Sequence, residues 1–317
     1  MEEKIENLFK GYGITEVDKK LYKDLCLNIW WLVSPAYSNV DDSHNENHIF
    51  HVLRRSIDLV FWLKNRSRNF NHDKETKYIM KVILASFIHD VFSYSNRKYH
   101  HEKAYLLIRK ICDIKVLEQN NTLNVKDKAI EVVNKMFEVL NLIPGQVTSG
   151  ATKKFEWLKW YSKYDLLEVS EMVNEHRASY EGKFSSELCE LFSTADRDDL
   201  DLNVVINRIY ICAKDKTNRF NCDIKGFLPL DITINQRSYH TEEIIPYLKN
   251  SLEWNDEKVK TFYHLWEKFS KVGYMYNSLK IDGIFMLYYR DQITKFYNDI
   301  DVIIENPEEM LKYIKID

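Results

Sequence analysis

Hydrophobic side chains recur along much of this chain with the periodicity of α-helices. Around residue 55, apolar side chains fall at Leu53, Ile57 and Val60, which is the spacing of one helix face. Residues 76–92 are instead apolar on nearly every side, which is typical of a helix buried within a core. The pattern therefore predicts a helical protein with the segment 76–92 at its centre.

Helical periodicity and turn residues together predict the order of the elements. We expect helices over residues 2–10, 16–33, 44–64, 76–92, 100–113, 126–140, 153–180, 184–196 and most of 253–315. Loops are expected at 34–43, 65–75 and 141–152, and a short strand in the DITIN stretch at 231–235. Only 8 Gly and 5 Pro occur among 317 residues, so the chain lacks the turn residues that β-rich folds require. These features predict an all-α fold.

Composition and charge argue against several classes of protein. The net charge of -3 disfavours a nucleic-acid partner, since such proteins usually carry a basic excess. The N-terminal sequence has no apolar leader, and no apolar run reaches the roughly 18 residues of a membrane span. Five scattered cysteines without a C-x-x-C spacing argue against a disulfide framework or a zinc knuckle. We expect a protein of the reducing cytoplasm.

A cluster of histidines opens the helix predicted over residues 44–64. His44, His48 and His51 follow one another at spacings that place them on one helix face. Neutral imidazole is a good ligand for zinc, iron, nickel and similar ions. The cluster therefore predicts a metal site, with a solvated helix N-terminus as the alternative interpretation.

A second candidate is the pair His89-Asp90 within the apolar stretch VILASFIHDVF. An ionised Asp in a buried helix costs several kcal/mol unless it is paired or binds a cation. A metal ion would satisfy both side chains at once. The alternative is that Asp90 pairs with Arg54 or Arg55 and that His89 is a hydrogen-bonded core residue.

A third candidate is the acidic cluster in TADRDDLD, at the end of the helix predicted over 184–196. One of its carboxylates could complete a set of two histidines and two aspartates. We select Asp196 as the ligand and Asp199 as its substitute. A solvated acidic helix end is the alternative interpretation.

These three segments, in this order, resemble the HD superfamily of metal-dependent phosphohydrolases, which an H…HD…D pattern defines. HNENHIFHV (44–52) and ASFIHDV (85–91) are similar to motifs of its cyclic-nucleotide phosphodiesterases and smaller bacterial hydrolases. The ligand set that the resemblance implies is His48, His89, Asp90 and Asp196. The first histidine of the motif, here His44, would be the general acid.

The resemblance covers roughly residues 40–200 and implies a fold. We expect an HD-domain-like helical bundle over residues 1–200. Additional C-terminal helices over 201–317 are expected to pack on this core as one unit.

The chain departs from the phosphodiesterase pattern in ways that affect the expected number of ions. Phe-Ser (92–93) follows HDV where those enzymes have Asp-His, and His51 replaces the Asp expected before Val52. In HHEKA (100–104), Glu102 matches an acidic catalytic residue of the smaller hydrolases. We expect a single ion, unless the paired histidines that open HHEKA supply further ligands. His51 is an alternative ligand.

The reaction implied by the resemblance is hydrolysis of a phosphate ester, with a nucleotide as the expected substrate. A divalent ion (Mn, Mg, Zn, Ni, Co or Fe) lowers the pKa of bound water to about 7 in favourable sites and supplies hydroxide at neutral pH. Asp90 or Asp196 would accept the proton from that water. Arg97, Lys98 and Arg197 flank the motifs, and we expect them to bind phosphate.

Three further functions remain compatible with these motifs. The first is a phosphodiesterase that acts on cyclic mono- or oligonucleotides. The second is an oxygenase of the HD fold that uses two irons, which the absent ligands after HDV disfavour. The third is a non-catalytic HD scaffold that binds a nucleotide or a protein partner, with the aromatic C-terminal third as a candidate surface.

The role inferred for His44 leads to a prediction. Since a general acid donates a proton without holding the ion, His44→Ala should keep its metal and lose about 100-fold or more of its turnover. Elemental analysis and a hydrolysis assay on the same preparation measure both quantities. Loss of metal in proportion to activity would instead make His44 a ligand.

Overall fold

The computed structural model describes residues 1–37, 45–93, 99–119, 153–177, 180, 182–197, 200–214, 231–234, 237–240, 246, 248–270 and 283–314. Within these residues the fold is helical, as predicted, and one two-stranded hairpin contains all of their strands. The chain divides into two compact units, Met1–Asp196 and Arg197–Asp317. Among the described helices, none combines the length and apolar character needed to cross a membrane.

The first unit is built around one buried helix. Its helices are α1 (Glu2–Leu8), α2 (Glu16–Tyr37), α3 (Glu46–Arg66), α4 (His72–Ile88), α5 (His100–Gln119), α6 (Lys163–Glu175) and α7 (Glu187–Asp196). Helix α4 packs against α2, α3, α6 and α7. Every residue from Ile79 to Ile88 is buried. The central buried helix predicted from the apolar run is therefore confirmed.

Capping side chains decide where these helices begin. Asn45 accepts hydrogen bonds from the backbone N–H groups of Asn47 (2.9 Å) and His48 (3.4 Å) at the start of α3. At the start of α4, Asn71 accepts a hydrogen bond from the backbone N–H of Lys74 (2.9 Å). Helix α4 therefore begins at His72, within the loop predicted at 65–75. Asx side chains at this position satisfy backbone donors that have no partner inside the helix.

The helix predicted over 153–180 is instead two elements. A 3-10 helix spans Lys153–Trp160, and α6 begins only at Lys163. Ser162 and Asp165 form a capping box, which starts a new helix and explains the break. The helix predicted over 126–140 and the loop predicted over 141–152 lie outside the described residues.

Helix α2 extends beyond its predicted end. A loop was expected from Ser34 because Pro35 lacks a backbone donor, yet the helix continues to Tyr37. The ring of Tyr37 stacks on Trp30, with centroids 6.1 Å apart, and Tyr37 is buried. This packing outweighs the hydrogen bond lost at Pro35, so the last turn of α2 is retained.

The second unit has its own core. It contains α8 (Leu202–Lys214), β1 (Asp231–Ile234), β2 (Arg237–His240), α9 (Asp256–Ser270), α10 (Ile284–Tyr288), α11 (Arg290–Glu305) and a 3-10 helix (Pro307–Lys312). Buried apolar residues of α8, α9, α11 and the C-terminal segment form one hydrophobic cluster. The strands pair antiparallel, with Asp231 opposite His240. The strand predicted in DITIN is confirmed.

A partly buried ion cluster joins α4 to α6. The Lys81 ammonium lies 3.0 Å from Asp165 Oδ1 and 2.7 Å from Glu168 Oε2. Although burial acts to raise the pKa of the Asp165 carboxyl, hydrogen bonds from Ser162 and Lys81 hold it below its usual value. The cluster therefore stabilises the fold while Asp165 is ionised.

We predict that Lys81→Met lowers the free energy of unfolding by about 1–3 kcal/mol at pH 7, because two carboxylates lose a charged donor. The folded-state pKa of Asp165 is depressed, so the stabilisation is present above the unfolded-state pKa and disappears as the pH falls through the folded-state value. Urea unfolding of both proteins at pH 7 and at decreasing acidic pH measures the difference.

Lys77→Met is the matched control, since Lys77 is an exposed residue of the same helix. Exposed substitutions of this kind usually change stability by less than about 0.5 kcal/mol. Equal effects of the two substitutions at neutral pH would refute the role given to Lys81.

Candidate metal centre

The predicted ligands are all delivered by helix ends. His48 lies in the first turn of α3, and His89 and Asp90 directly follow the last residue of α4. Asp196 is the last residue of α7. Packing of α3 and α7 on each other and on α4 brings these ends together. The three separate sequence segments thus meet within the first unit.

Four donor atoms converge at this point. His48 Nε2 lies 3.4 Å from His89 Nε2, 3.3 Å from Asp196 Oδ1 and 3.4 Å from Asp90 Oδ2. His89 Nε2 lies 3.5 Å from Asp196 Oδ1 and 3.4 Å from Asp90 Oδ2. His89 is fully buried and Asp90 is 3% exposed. The donors therefore occupy an interior position with little access to water.

These separations fit ligands of a shared ion better than they fit hydrogen bonds. Strong N–H···O bonds measure about 2.7–3.2 Å, and one Nε2 proton cannot serve three acceptors. Ligands about 2.1 Å from an ion lie about 3.0 Å apart at octahedral angles and about 3.4 Å apart at tetrahedral angles. His48, His89 and Asp196 could therefore hold a metal ion.

The ring of His89 is oriented for metal binding. Its Nδ1 lies 2.8 Å from the carbonyl oxygen of Ser86, which can only accept a hydrogen bond. A proton is therefore assigned to Nδ1, so that Nε2 carries the lone pair whenever the ring is neutral. Metal-binding histidines commonly donate their other ring N–H to a carbonyl in this way.

The charges of the cluster are strongly coupled. Burial acts to lower the pKa of His48 and His89, but Asp90 and Asp196 outweigh it and raise both values, that of His89 well above its usual range. Burial acts to raise the pKa of Asp196, yet His48 and His89 hold it well below its usual value. The buried carboxylates thus require positive charge, which either ring protons or a divalent cation can supply.

A second set of donors lies beside the first. Asp90, His100 and His176 each place one donor atom within 4.8 Å of the others, and all three residues are buried. Asp90 Oδ1 lies 3.1 Å from His100 Nε2, whereas Oδ2 faces His48 and His89. The two carboxylate oxygens of Asp90 therefore serve different sets, and the site has donors for a second ion.

His176 was not identified from the sequence. It follows the last residue of α6, and its Nδ1 lies 2.6 Å from the carbonyl oxygen of Val173. Burial lowers its pKa to about 3, so the ring is neutral with its lone pair on Nε2. The only sequence signal was a histidine next to an amphipathic helix, which by itself is weak.

Two predicted residues are not brought into the cluster. His51 is exposed on α3, although its spacing of three residues from His48 places it on a neighbouring part of the same helix face. Glu102 is also exposed, and its nearest histidine contact is His101 at 3.8 Å. Since residues two apart in a helix do not share a face, Glu102 points away from His100.

Of the remaining predicted residues, the structure describes only Arg197. His44, Arg97, Lys98 and Asp199 lie outside the described residues. Arg197 is buried directly after Asp196. Of the two arginines considered as partners of Asp90, Arg54 donates to the carbonyl oxygens of Asn7 and Leu8, both at 3.1 Å.

In comparisons with known proteins, no family model, curated protein or solved structure matches the chain.

The contrast between His48 and His51 leads to a prediction. His48→Ala removes one donor of the convergent set, so the purified variant should lose most of its bound metal. His51→Ala changes the same residue type three positions later on the same helix, and it should retain the metal content of the parent protein. Elemental analysis after dialysis against metal-free buffer measures both. Equal metal content in the two variants would contradict the ligand assignment.

Proposed function

We propose that this chain is a metal-dependent phosphohydrolase of the HD type that acts on phosphate esters of nucleotides. The observation that carries the proposal is the convergence of donor atoms from His48, His89, Asp90 and Asp196 at one buried point. The resemblance to the HD superfamily selects the same four residues from three distant segments of the sequence. Agreement between the two, residue by residue, supports this function over that of a structural helical protein.

The ligand roles follow from the positions of the donors. His48, His89, Asp196 and Asp90 Oδ2 would hold the first ion, and Asp90 Oδ1 with His100 and His176 would hold the second. When bound, a divalent ion supplies Lewis acidity toward a phosphoryl oxygen and lowers the pKa of water. Burial of His89, His176 and Asp90 limits competing water and keeps the donors in place.

The proton transfers are assigned to residues around the ions. Burial acts to raise the pKa of Asp196, but the neighbouring rings of His48 and His89 keep it well below its usual value. Asp196 therefore stays ionised, and one of the two carboxylates, Asp90 or Asp196, is the proposed acceptor of the proton from the attacking water. His44 is the proposed donor of a proton to the leaving oxygen, as the sequence motif implies.

The helix ends also favour an anionic substrate beside the cations. The N-termini of α3 and α5 supply His48 and His100, and helix N-termini stabilise negative charge. Together with bound divalent ions, this field favours a phosphoryl group. Arg97 and Lys98, which follow the HD motif in the sequence, are the proposed contacts to its oxygens.

A second candidate function is supported by one observation. A two-iron oxygenase of the HD fold was disfavoured because ligands after the HD motif are absent from the sequence pattern. His100 and His176, with Asp90, offer such ligands from other helices. Iron content with oxygen uptake would distinguish this reaction from hydrolysis.

We predict that the protein loaded with Mn²⁺, Ni²⁺ or Co²⁺ releases phosphate or opens a phosphodiester in a panel of nucleotides. The panel contains phosphomonoesters, cyclic nucleotides and alarmones, so that the products separate a monoesterase from a diesterase. Asp196→Asn should lower this activity about 100-fold or more, because it removes a charged ligand of the first ion.

Two outcomes would contradict the proposal. Oxygen consumption by the iron-loaded protein without hydrolysis of any ester would favour the oxygenase. A protein that binds metal but turns over neither class of substrate would be a non-catalytic scaffold.

A further inference from the structure

The hydroxyl of Tyr37 is buried against the end of α4 that carries the metal ligands. It donates a hydrogen bond to the carbonyl oxygen of Phe87, with an O–O distance of 2.9 Å. Tyr37 is 4% exposed, and its ring stacks on Trp30. The residue belongs to the turn of α2 that continues past Pro35, so this extra turn is what brings the hydroxyl to α4.

The contact completes the hydrogen bonding of the helix end. The last four carbonyl groups of a helix have no partner within it and must find other donors. In α4 the carbonyl of Ala85 accepts from the His89 N–H (2.9 Å), and that of Ser86 lies 2.8 Å from His89 Nδ1. The carbonyl of Ile88 accepts from the Val91 N–H at 3.1 Å. The fourth carbonyl, that of Phe87, accepts the hydrogen bond from the Tyr37 hydroxyl.

The charged residue on the other side of His89 lies near the same hydroxyl. The charge of Asp90 is close enough to act on Tyr37. Burial, followed by that charge, raises the pKa of the Tyr37 hydroxyl well above its usual value, so the hydroxyl keeps the proton that it donates to the Phe87 carbonyl. The hydroxyl thus holds the backbone two residues before His89, at the end of the helix that leads into His89 and Asp90.

We propose that Tyr37 is a positioning residue for the metal centre, which fixes the backbone of His89 and Asp90 so that their donor atoms meet those of His48 and Asp196. Tyr37 itself has no place among the donors of either set. It acts through the backbone that carries two first-ion ligands, one of which also faces the second set.

The inference rests on the proposed metal centre, and its test is metal binding by the full chain. Co²⁺ is titrated into the metal-free protein, and its visible absorption reports both affinity and ligand geometry. Loss of a residue that orients metal ligands typically weakens binding about 10–100-fold. We expect Tyr37→Phe to show a loss of this size together with a changed Co²⁺ spectrum.

Tyr161→Phe is a closely matched control. Tyr161 is also buried, and its hydroxyl donates to a carbonyl of the same helix, that of Met80, at 2.7 Å. This contact lies two turns before the metal ligands. Both variants should unfold at lower temperature than the parent, since each removes a buried hydrogen bond, but Tyr161→Phe should keep the parent's Co²⁺ affinity and spectrum.

The outcomes separate this inference from the proposed function. If the parent binds Co²⁺ and Tyr37→Phe binds it equally well with the same spectrum, the positioning role is wrong and the metal centre stands. If Co²⁺ binding is weakened equally in Tyr37→Phe and Tyr161→Phe, the effect of Tyr37 is one of general stability, and the positioning role is also wrong. If the parent binds no Co²⁺, the metal centre and this inference both fail.

Discussion

The structure of the first unit depends on the neutralisation of two buried carboxylates. Asp196 ends α7, and Asp90 lies two residues beyond the end of α4. Asp90 is buried and Asp196 largely so, and in such positions an uncompensated charge costs several kcal/mol. The Nε2 atoms of His48 and His89 lie 3.3–3.5 Å from the carboxylate oxygens of both aspartates. These distances are too long for strong hydrogen bonds and suit ligands of a shared cation. Any substitution that removes one partner leaves another charge without compensation.

The fold brings these carboxylates and histidines together at the ends of helices. The C-terminal ends of α4, α6 and α7 supply His89 with Asp90, His176 and Asp196 respectively. A helix C-terminus carries partial negative charge, which favours a cation. The last carbonyl groups of a helix have no donor within that helix. At the end of α4, the ring of His89 and the hydroxyl of Tyr37 serve as partners for two of them. At this helix end, the same contacts therefore cap the helix, orient the candidate ligands and form part of the packed core.

The first set of candidate ligands was accessible from the sequence because its three segments, taken together, match the H…HD…D pattern of the HD superfamily. A histidine at a helix start, a charged pair within an apolar run and an aspartate at a helix end are each weaker signals alone. The second set was only partly accessible. His100 is one of the paired histidines that open HHEKA and was named as a possible further ligand. His176 follows an ordinary amphipathic helix, so its burial becomes visible only when the helices pack.

The sequence by itself determined the helical class, the buried central helix and the short strand in DITIN, because hydrophobic periodicity and residue type are local properties. Together with the resemblance to the HD superfamily, it also predicted the four residues whose donor atoms converge. Tertiary structure decided the continuation of α2 through Pro35, the exposure of His51 and Glu102, and the convergence of His100 and His176 on Asp90. These outcomes depend on which helices pack together, since contacts between residues far apart in the chain override local preference and rotate each side chain toward or away from the core.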